Sequence, residues 1–328
     1  MSQSHSTPGE PAEVVIAVVS WNTRELLGNC LRSIEPEVRA GRAEAWVVDN
    51  ASSDGSAELV REGFPWAKLI ALEENVGFGA AINLVAERTS SPWLAVANAD
   101  IELTPGSLGA LLEAAERLPQ AGIIAPRLRL PDGTTQHSVY AFPTLGFTLA
   151  FNLGFGGLSA RRADEMALEG RWNPDRPRFV DWAIGAFLLV RRQAWTAAGG
   201  FDPAQWMYAE DLDLGWRVAA AGFRTWYEPT ATVRHHGAAA TSQAWGDART
   251  EQWQRSTYAW MLRRRGVLLT RSCALVNTVG AGTRAILLAP LALALRGDRL
   301  ERFGSARFWA RLHLSNLIAS RSALENHR

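Results

Sequence analysis

Four short apolar runs alternate with stretches of helical periodicity through the first 118 residues, and each run ends on or is followed within three residues by an asparagine or aspartate. Val14–Ser20 is almost wholly aliphatic and β-branched, the composition of a strand buried on both faces. Residues 45–49, 68–72 and 93–97 repeat the pattern more briefly. Between them, residues 24–34, 56–62 and 80–88 read as helices, the first carrying Leu26, Leu27, Leu31 and Ile34 at helical spacing. A further helix at 108–118 leads into an apolar segment at 122–126. Alternation of this kind predicts an α/β fold with a mostly parallel, Rossmann-like sheet flanked by helices. In open α/β sheets ligands bind beyond the carboxyl ends of the strands. Asn22, Asp49 with Asn50, Asn75, and Asn98 with Asp100 therefore mark an expected cleft.

The second half opens with a looser, Gly- and Phe-rich connection over 138–177. A strand-like run at 179–191 follows, then helices at 192–198 and 211–221, and a short strand at 230–233 before His235-His236. The polar first dozen residues have no apolar core of a signal peptide and read as a disordered tail. Two distant cysteines, Cys30 and Cys273, give no metal-type spacing and fit a reducing compartment. A formal charge of +1 argues against nucleic acid as an obligate partner.

Residues 266–295 are apolar but interrupted by Arg271 and Arg284, and Pro290 is expected to break their helix. No window of about 20 residues is free of arginine or proline, as a clean spanning helix would be. Amphipathic helices over 266–312, lying on a membrane with arginines toward lipid phosphates, fit this pattern. A helical hairpin packed on the main domain fits it equally.

The chemistry-bearing residues fall into four groups. Asp49 opens an Asp-Asn-Ala-Ser-Ser-Asp-Gly-Ser turn, where a carboxylate can accept the imide N–H of uracil or thymine; Asp54 and Ser56 read as caps of the next helix. Asn75-x-Gly77-Phe78-Gly79 lacks both the third glycine of a dinucleotide fingerprint and the Gly-Lys-Ser/Thr of a P-loop. Asn98-Ala99-Asp100 ends a strand with one carboxylate aimed at the same cleft. Glu210, Asp211 and Asp213 put three carboxylates at a helix N-terminus, where the macrodipole alone would favour them.

Taken in order, VVSWNTRELLGNCLRSI, VVDNASSDGS, ENVGFGAAIN, ANADIEL, VDWAIGAFLLVRR, GGFDPAQWMYAEDLDLGWRVAAAGF and the histidine pair resemble family 2 glycosyltransferases of GT-A fold. The resemblance runs from Val14 to about Thr241 and is strongest to bacterial rhamnosyltransferases and related cell-wall or polysaccharide enzymes. It implies a nucleotide site at Asn22, Asp49, Asn75, Gly77 and Asn98, with Asn83 ordering the site from its helix. It implies Mg2+ or Mn2+ held by Asp100 and His235, with His236 as the alternative. Asp211 would be the catalytic base, with Glu210 and Asp213 positioning it or binding the sugar. Gly185, Trp182 and Arg217 complete an expected sugar or acceptor side, Arg217 either pairing with Asp213 or touching phosphate. For each tryptophan near these motifs, core packing competes with stacking on a sugar.

The expected organisation is a tail at 1–12, a GT-A domain at 13–246 and an amphipathic helical extension at 247–328. The expected reaction is inverting transfer of a sugar, rhamnose from dTDP-rhamnose first, to a cell-wall, polysaccharide or lipid-linked glycan. The alternatives are a UDP-hexose or UDP-N-acetylhexosamine transferase, or an inactive nucleotide-sugar-binding homologue. The expected place is the cytoplasm, peripheral on the inner face of the plasma membrane.

Overall fold

The computed structural model describes residues 12–152, 160–168, 170–237, 248–294 and 298–319. They form two compact units, Met1–Ala141 with Met166–Asp247, and Phe142–Glu165 with Ala248–Arg328. Part of the loose connection at 142–165 thus belongs with the C-terminal helices and not with the sheet.

The first unit is built on one nine-stranded sheet. Strand β1 (Val14–Ser20) pairs in parallel with β2 (Ala43–Asp49) on one edge and β4 (Trp93–Asn98) on the other. Strand β3 (Lys68–Ala71) extends the sheet beyond β2. Helices α1 (Arg24–Arg39), α2 (Ser56–Gly63) and α3 (Phe78–Glu87) connect these strands. Val14, Ile16 and Val18 enter one apolar cluster, and Val15 and Ala17 enter the cluster on the other face. A strand so placed has no solvated side, which is why its sequence shows no polar alternation. Register sets Ser20 opposite Asp49 and Val19 opposite Asn98, so three strands end at one level.

The rest of the sheet is mixed. Beyond β4 come β10 (Phe187–Arg191, antiparallel), β6 (Ala121–Arg129), β11 (Arg224–His235) and β5 (Ile101–Leu103). Helix α4 (Ser107–Arg117) links β5 to β6. The single strand expected at 179–191 is three pieces: β8 (Arg178–Val180), β9 (Trp182–Ala183) and β10. The chain changes partners twice there, β8 joining β11, β9 joining β7 (Val139–Tyr140) and β10 joining β4. Strand β11 is far longer than the expected 230–233, because a register shift at Glu228/Thr232 carries the pairing past Pro229.

Helices α7 (Arg192–Ala198) and α8 (Glu210–Ala220) flank the loop 199–209. Asn83 anchors that loop: its Nδ2 donates to the Phe201 carbonyl at 2.9 Å and its Oδ1 accepts the Phe201 N–H at 3.0 Å.

In the second unit, α5 (Leu145–Asn152) and α6 (Ala160–Glu165) accompany α9 (Arg249–Arg265), α10 (Val267–Ala294) and α11 (Asp298–Ile318). Helix α10 continues past Pro290, against expectation, and its Val267–Ala289 segment is long and apolar enough to cross a membrane by length and composition. Arg271 donates to the carbonyls of Leu317 and Ala319 at 2.5 Å, and Arg284 donates to Asn152 Oδ1 at 3.3 Å. Both arginines are therefore directed to groups of their own unit, which departs from the expectation that they face lipid phosphates. Leu268, Leu275, Val279 and Ile286 fall on one stripe of the helix by 3.6-residue periodicity, and all four are exposed.

Asn83→Ala leaves both backbone groups of the buried Phe201 without partners. It is expected to lower the unfolding free energy by about 1–3 kcal/mol, read by urea denaturation. A midpoint unchanged from the parent would mean that Asn83 does not anchor the loop.

Candidate functional site

The first group is a braced loop at the carboxyl end of β2. Asp49 is 3% exposed. Its Oδ2 accepts the Ser52 N–H at 3.1 Å, while its Oδ1 is buried without a hydrogen-bond partner. An ionised oxygen so placed is costly unless a ligand supplies the donor. Asn22 braces this loop from the end of β1: its N–H donates to Ser52 Oγ at 2.9 Å and its Oδ1 accepts the Ser53 N–H at 2.8 Å. Both Asn22 and Ala51 hold positive φ, at 51° and 64°, the kind of local strain that persists where surrounding contacts enforce it. Asp54 accepts from the N–H groups of Arg24 and Ser56, so it starts α1 and α2 together, the capping role expected of it.

Asn75 and Gly77 frame this end by the same economy. Asn75 Oδ1 accepts from Asn50 Nδ2 at 2.9 Å and from the Gly77 N–H at 3.0 Å, and Asn50 Oδ1 accepts the Val76 N–H. Gly77 has φ +86°, and a Cβ there would lie 2.5 Å from the Trp206 carbonyl oxygen, so only glycine fits.

The second group forms where the chain turns after β4. Asn98 donates its N–H to the Ala186 carbonyl and keeps its side chain partly exposed. Strand β5 then pairs antiparallel with the end of β11, setting His235 opposite Ile101. This brings His235 Nε2 to 3.3 Å from Asp100 Oδ1. His235 Nδ1 contacts Gln136 Oε1 at 2.7 Å. His236 instead contacts Glu102 Oε1 at 2.7 Å, so of the two histidines His235 stands at Asp100. An imidazole nitrogen and a carboxylate oxygen facing each other suit a cation such as Mn2+, with remaining positions open to phosphate and water oxygens. Among the described residues no group of three or more His, Cys, Asp or Glu side chains stands together to complete a cage.

The third group is at the start of α8. Asp211 Oδ2 accepts the Gly185 N–H at 3.1 Å and its Oδ1 accepts the Leu212 N–H at 2.8 Å. Burial pushes the Asp211 carboxyl up to about 6, against the pull of those two N–H donors. Glu210 is buried beside it, and burial followed by the Asp211 charge raises its carboxyl well above the usual range. Tyr208 and Ala209, immediately before, hold φ of 59° and 63°. Strain of this kind is concentrated at functional sites.

Comparison with known proteins settles the family. Residues 15–161 match the model for glycosyl transferase family 2. The chain is 35% identical over 208 residues to a Mycobacterium tuberculosis protein named N-acetylglucosaminyl-diphospho-decaprenol L-rhamnosyltransferase, covering 60% of this chain and 67% of the relative. The chain belongs to glycosyl transferase family 2. It is also 29% identical over 145 residues to the Escherichia coli rhamnosyltransferase WbbL, across 44% of this chain and 50% of that one. A mannosyltransferase from Pyrobaculum calidifontis, solved with GDP-Man and Mn2+, superposes with a TM-score of 0.59 at 18% identity, over 97% of this chain and 88% of the other. That likeness shows the fold, the GT-A arrangement.

In this glycosyltransferase three expected site residues sit elsewhere than in an open cleft. Asp213 is fully buried and ion-paired to Arg217 Nε at 2.7 Å, and Arg217 also donates to the Ala198 carbonyl. The pair ties α8 to the end of α7 and closes Asp213 to a sugar, using Nε and Nη1 of Arg217 and leaving its Nη2 buried without a partner. Trp182 is 5% exposed, stacked on Tyr140 at 4.6 Å and bonded through Nε1 to the Ala141 carbonyl. Gly185 contributes its N–H to Asp211, and a Cβ there would meet only ordinary contacts. No motif or periodicity in the sequence marks Gln136. Its nearest signal is Pro131-Asp132-Gly133, a hairpin turn that returns the chain along β6.

Because the folded carboxyl of Asp211 is raised, its neutral form favours the fold, and stability is lost as pH rises through about 6. Asp211→Asn is therefore expected to melt higher than the parent at pH 8, with the difference vanishing near pH 4. Thermal melts at the two pH values check this; an equal or lower melting temperature at pH 8 would contradict the strained carboxylate.

Proposed function

We propose that this glycosyltransferase is an inverting, metal-dependent rhamnosyltransferase using dTDP-rhamnose, with a lipid-linked glycan as acceptor. The observation that carries the donor end is the buried, partnerless Asp49 Oδ1, which the imide N–H of thymine would satisfy. The choice of rhamnose rests on the mycobacterial and E. coli relatives, both rhamnosyltransferases, and the diphospholipid-linked acceptor on the mycobacterial one alone.

In this reading Asp100 and His235 hold the cation and Asn22, Asn75, Gly77 and Asn98 shape the cleft around the nucleotide. When bound, Mg2+ or Mn2+ neutralises charge on the departing diphosphate. Asp211 accepts the proton of the acceptor hydroxyl as its oxygen forms the bond to the anomeric carbon and the bond to the diphosphate breaks. Attack from the face opposite the leaving group inverts that carbon. A carboxylate raised to about 6 is still ionised at neutral pH and is a stronger base than an ordinary aspartate. Gly185 and Glu210 act through Asp211, the first by its N–H and the second by its neighbouring carboxyl.

The GT-A domain covers 13–246 apart from 142–165, which belongs with the helices of the 247–328 extension, and that extension meets the cytoplasmic face of a membrane. Every exposed large apolar side chain among the described residues belongs to the second unit, with Leu268 at 84% and Ile286 at 74%. A stripe from Leu268 to Ile286 is about 27 Å long at 1.5 Å per residue.

Nucleotide binding, turnover and liposome flotation test this function. Thermal shift with dTDP, UDP and GDP, with and without Mn2+, is expected to show stabilisation by dTDP that needs the metal for its full extent. UDP giving the larger shift would favour a UDP-hexose or UDP-N-acetylhexosamine donor. Asp49→Asn is expected to weaken dTDP binding roughly 10- to 100-fold. Asp211→Asn is expected to lower kcat roughly 10²- to 10⁴-fold with dTDP affinity unchanged, and parental kcat is expected to fall as pH drops through about 6. Turnover preserved in Asp211→Asn would refute the base. The full chain is expected to float with anionic liposomes and Leu275→Asp/Ile286→Asp to remain in the bottom fraction; equal flotation of both would refute membrane contact through α10.

A further inference from the structure

We propose that Gln136 is the positioning residue that turns the His235 ring so that Nε2 presents its lone pair at Asp100, in the place of the donor-bound cation. The inference rests on the reading of Asp100 and His235 as the metal pair. His235 has two ring nitrogens, and only one carries the proton when the ring is neutral. Nδ1 lies 2.7 Å from Gln136 Oε1 and Nε2 lies 3.3 Å from Asp100 Oδ1. A proton on Nδ1, donated to the Gln136 carbonyl oxygen, leaves Nε2 as a ligand beside the carboxylate. A proton on Nε2 would make the same contact an ordinary hydrogen bond and close the site. Whatever fixes Nδ1 therefore decides which of the two the pair can be.

Gln136 is held for this task by a tight hairpin. Its N–H donates to the Leu128 carbonyl, the Leu130 N–H donates to Thr134, and Asp132 Oδ1 accepts from the Thr134 N–H and hydroxyl. Gly133 turns the chain at φ +83°. The hairpin extends β6, the strand that pairs with β11, so Gln136 and His235 are carried by neighbouring segments.

The test compares Mn2+ binding in the presence of dTDP, by calorimetry, in the parent, Gln136→Leu, Gln136→Glu, His235→Ala and Asp100→Asn. Gln136→Leu is expected to weaken Mn2+ roughly 10- to 100-fold while dTDP binding without metal is unchanged. Gln136→Glu, which can only accept at that position, is expected to restore Mn2+ affinity to at least the parental value. The ring 15N shifts of His235 in the metal-free protein report the tautomer directly, with the proton expected on Nδ1 in the parent and displaced from it in Gln136→Leu. If His235→Ala and Asp100→Asn weaken Mn2+ but Gln136→Leu does not, the positioning role fails and the metal pair stands. If the parent carries its proton on Nε2, the inference fails in the same way. If His235→Ala and Asp100→Asn bind Mn2+ as the parent does, the metal reading itself fails.

Discussion

Strand β1 is paired in parallel on both edges, and that double pairing sets the level at which the cleft opens. With Ser20 beside Asp49 and Val19 beside Asn98, the chain leaves three neighbouring strands at one height. Each exit then needs its own local device. Asn22 braces the β2 loop, Asp54 starts two helices, and Asn50 with Asn75 fixes the approach to α3. The apolar clusters on both faces hold these strands too firmly for the loops to relax the strain at Asn22 and Ala51. Asp49 Oδ1, at the carboxyl end of β2, is one of the buried polar atoms left without a hydrogen-bond partner.

The mixed half of the sheet solves a different problem. It brings together residues more than a hundred positions apart. Three residues of β5 suffice to place His235 at Asp100, and the break between β9 and β10 turns the Gly185 N–H toward Asp211. The Asp213–Arg217 pair and the Asn83–Phe201 bonds then fix both ends of the loop that carries Tyr208 and Ala209 and leads into Glu210. A carboxylate held this way is strained as a charge and accurate as a position. A buried carboxylate of this kind reduces stability and raises basicity by the same physical cause.

Much of this is legible in the sequence, and what is not follows a rule. Asp49, Asn98, Asp100 and Asp211 sit at the ends of local apolar or amphipathic runs, so pattern alone places them at strand or helix termini. The relation of His235 to Asp100, and of Gln136 to both, depends on pairing between distant strands, one of them too short to leave a periodic trace. Asp213, Arg217 and Trp182 lie inside or beside the functional motifs, yet their side chains serve the packing between elements. Sequence spacing does not reveal which way a residue faces when a bulge or a partner change interrupts the strand, as it does around Asp181 and Gly185. Pro290 misleads for a simpler reason: proline disfavours a helix interior without forbidding it.

The most direct test is a crystal structure of the full chain with dTDP and Mn2+. The account predicts the thymine imide N–H on Asp49 Oδ1, the cation bound by Asp100 and His235 Nε2, and the Asp211 carboxylate open toward the diphosphate's far side. A nucleotide bound away from Asp49, or a cation held without Asp100 and His235, would contradict it.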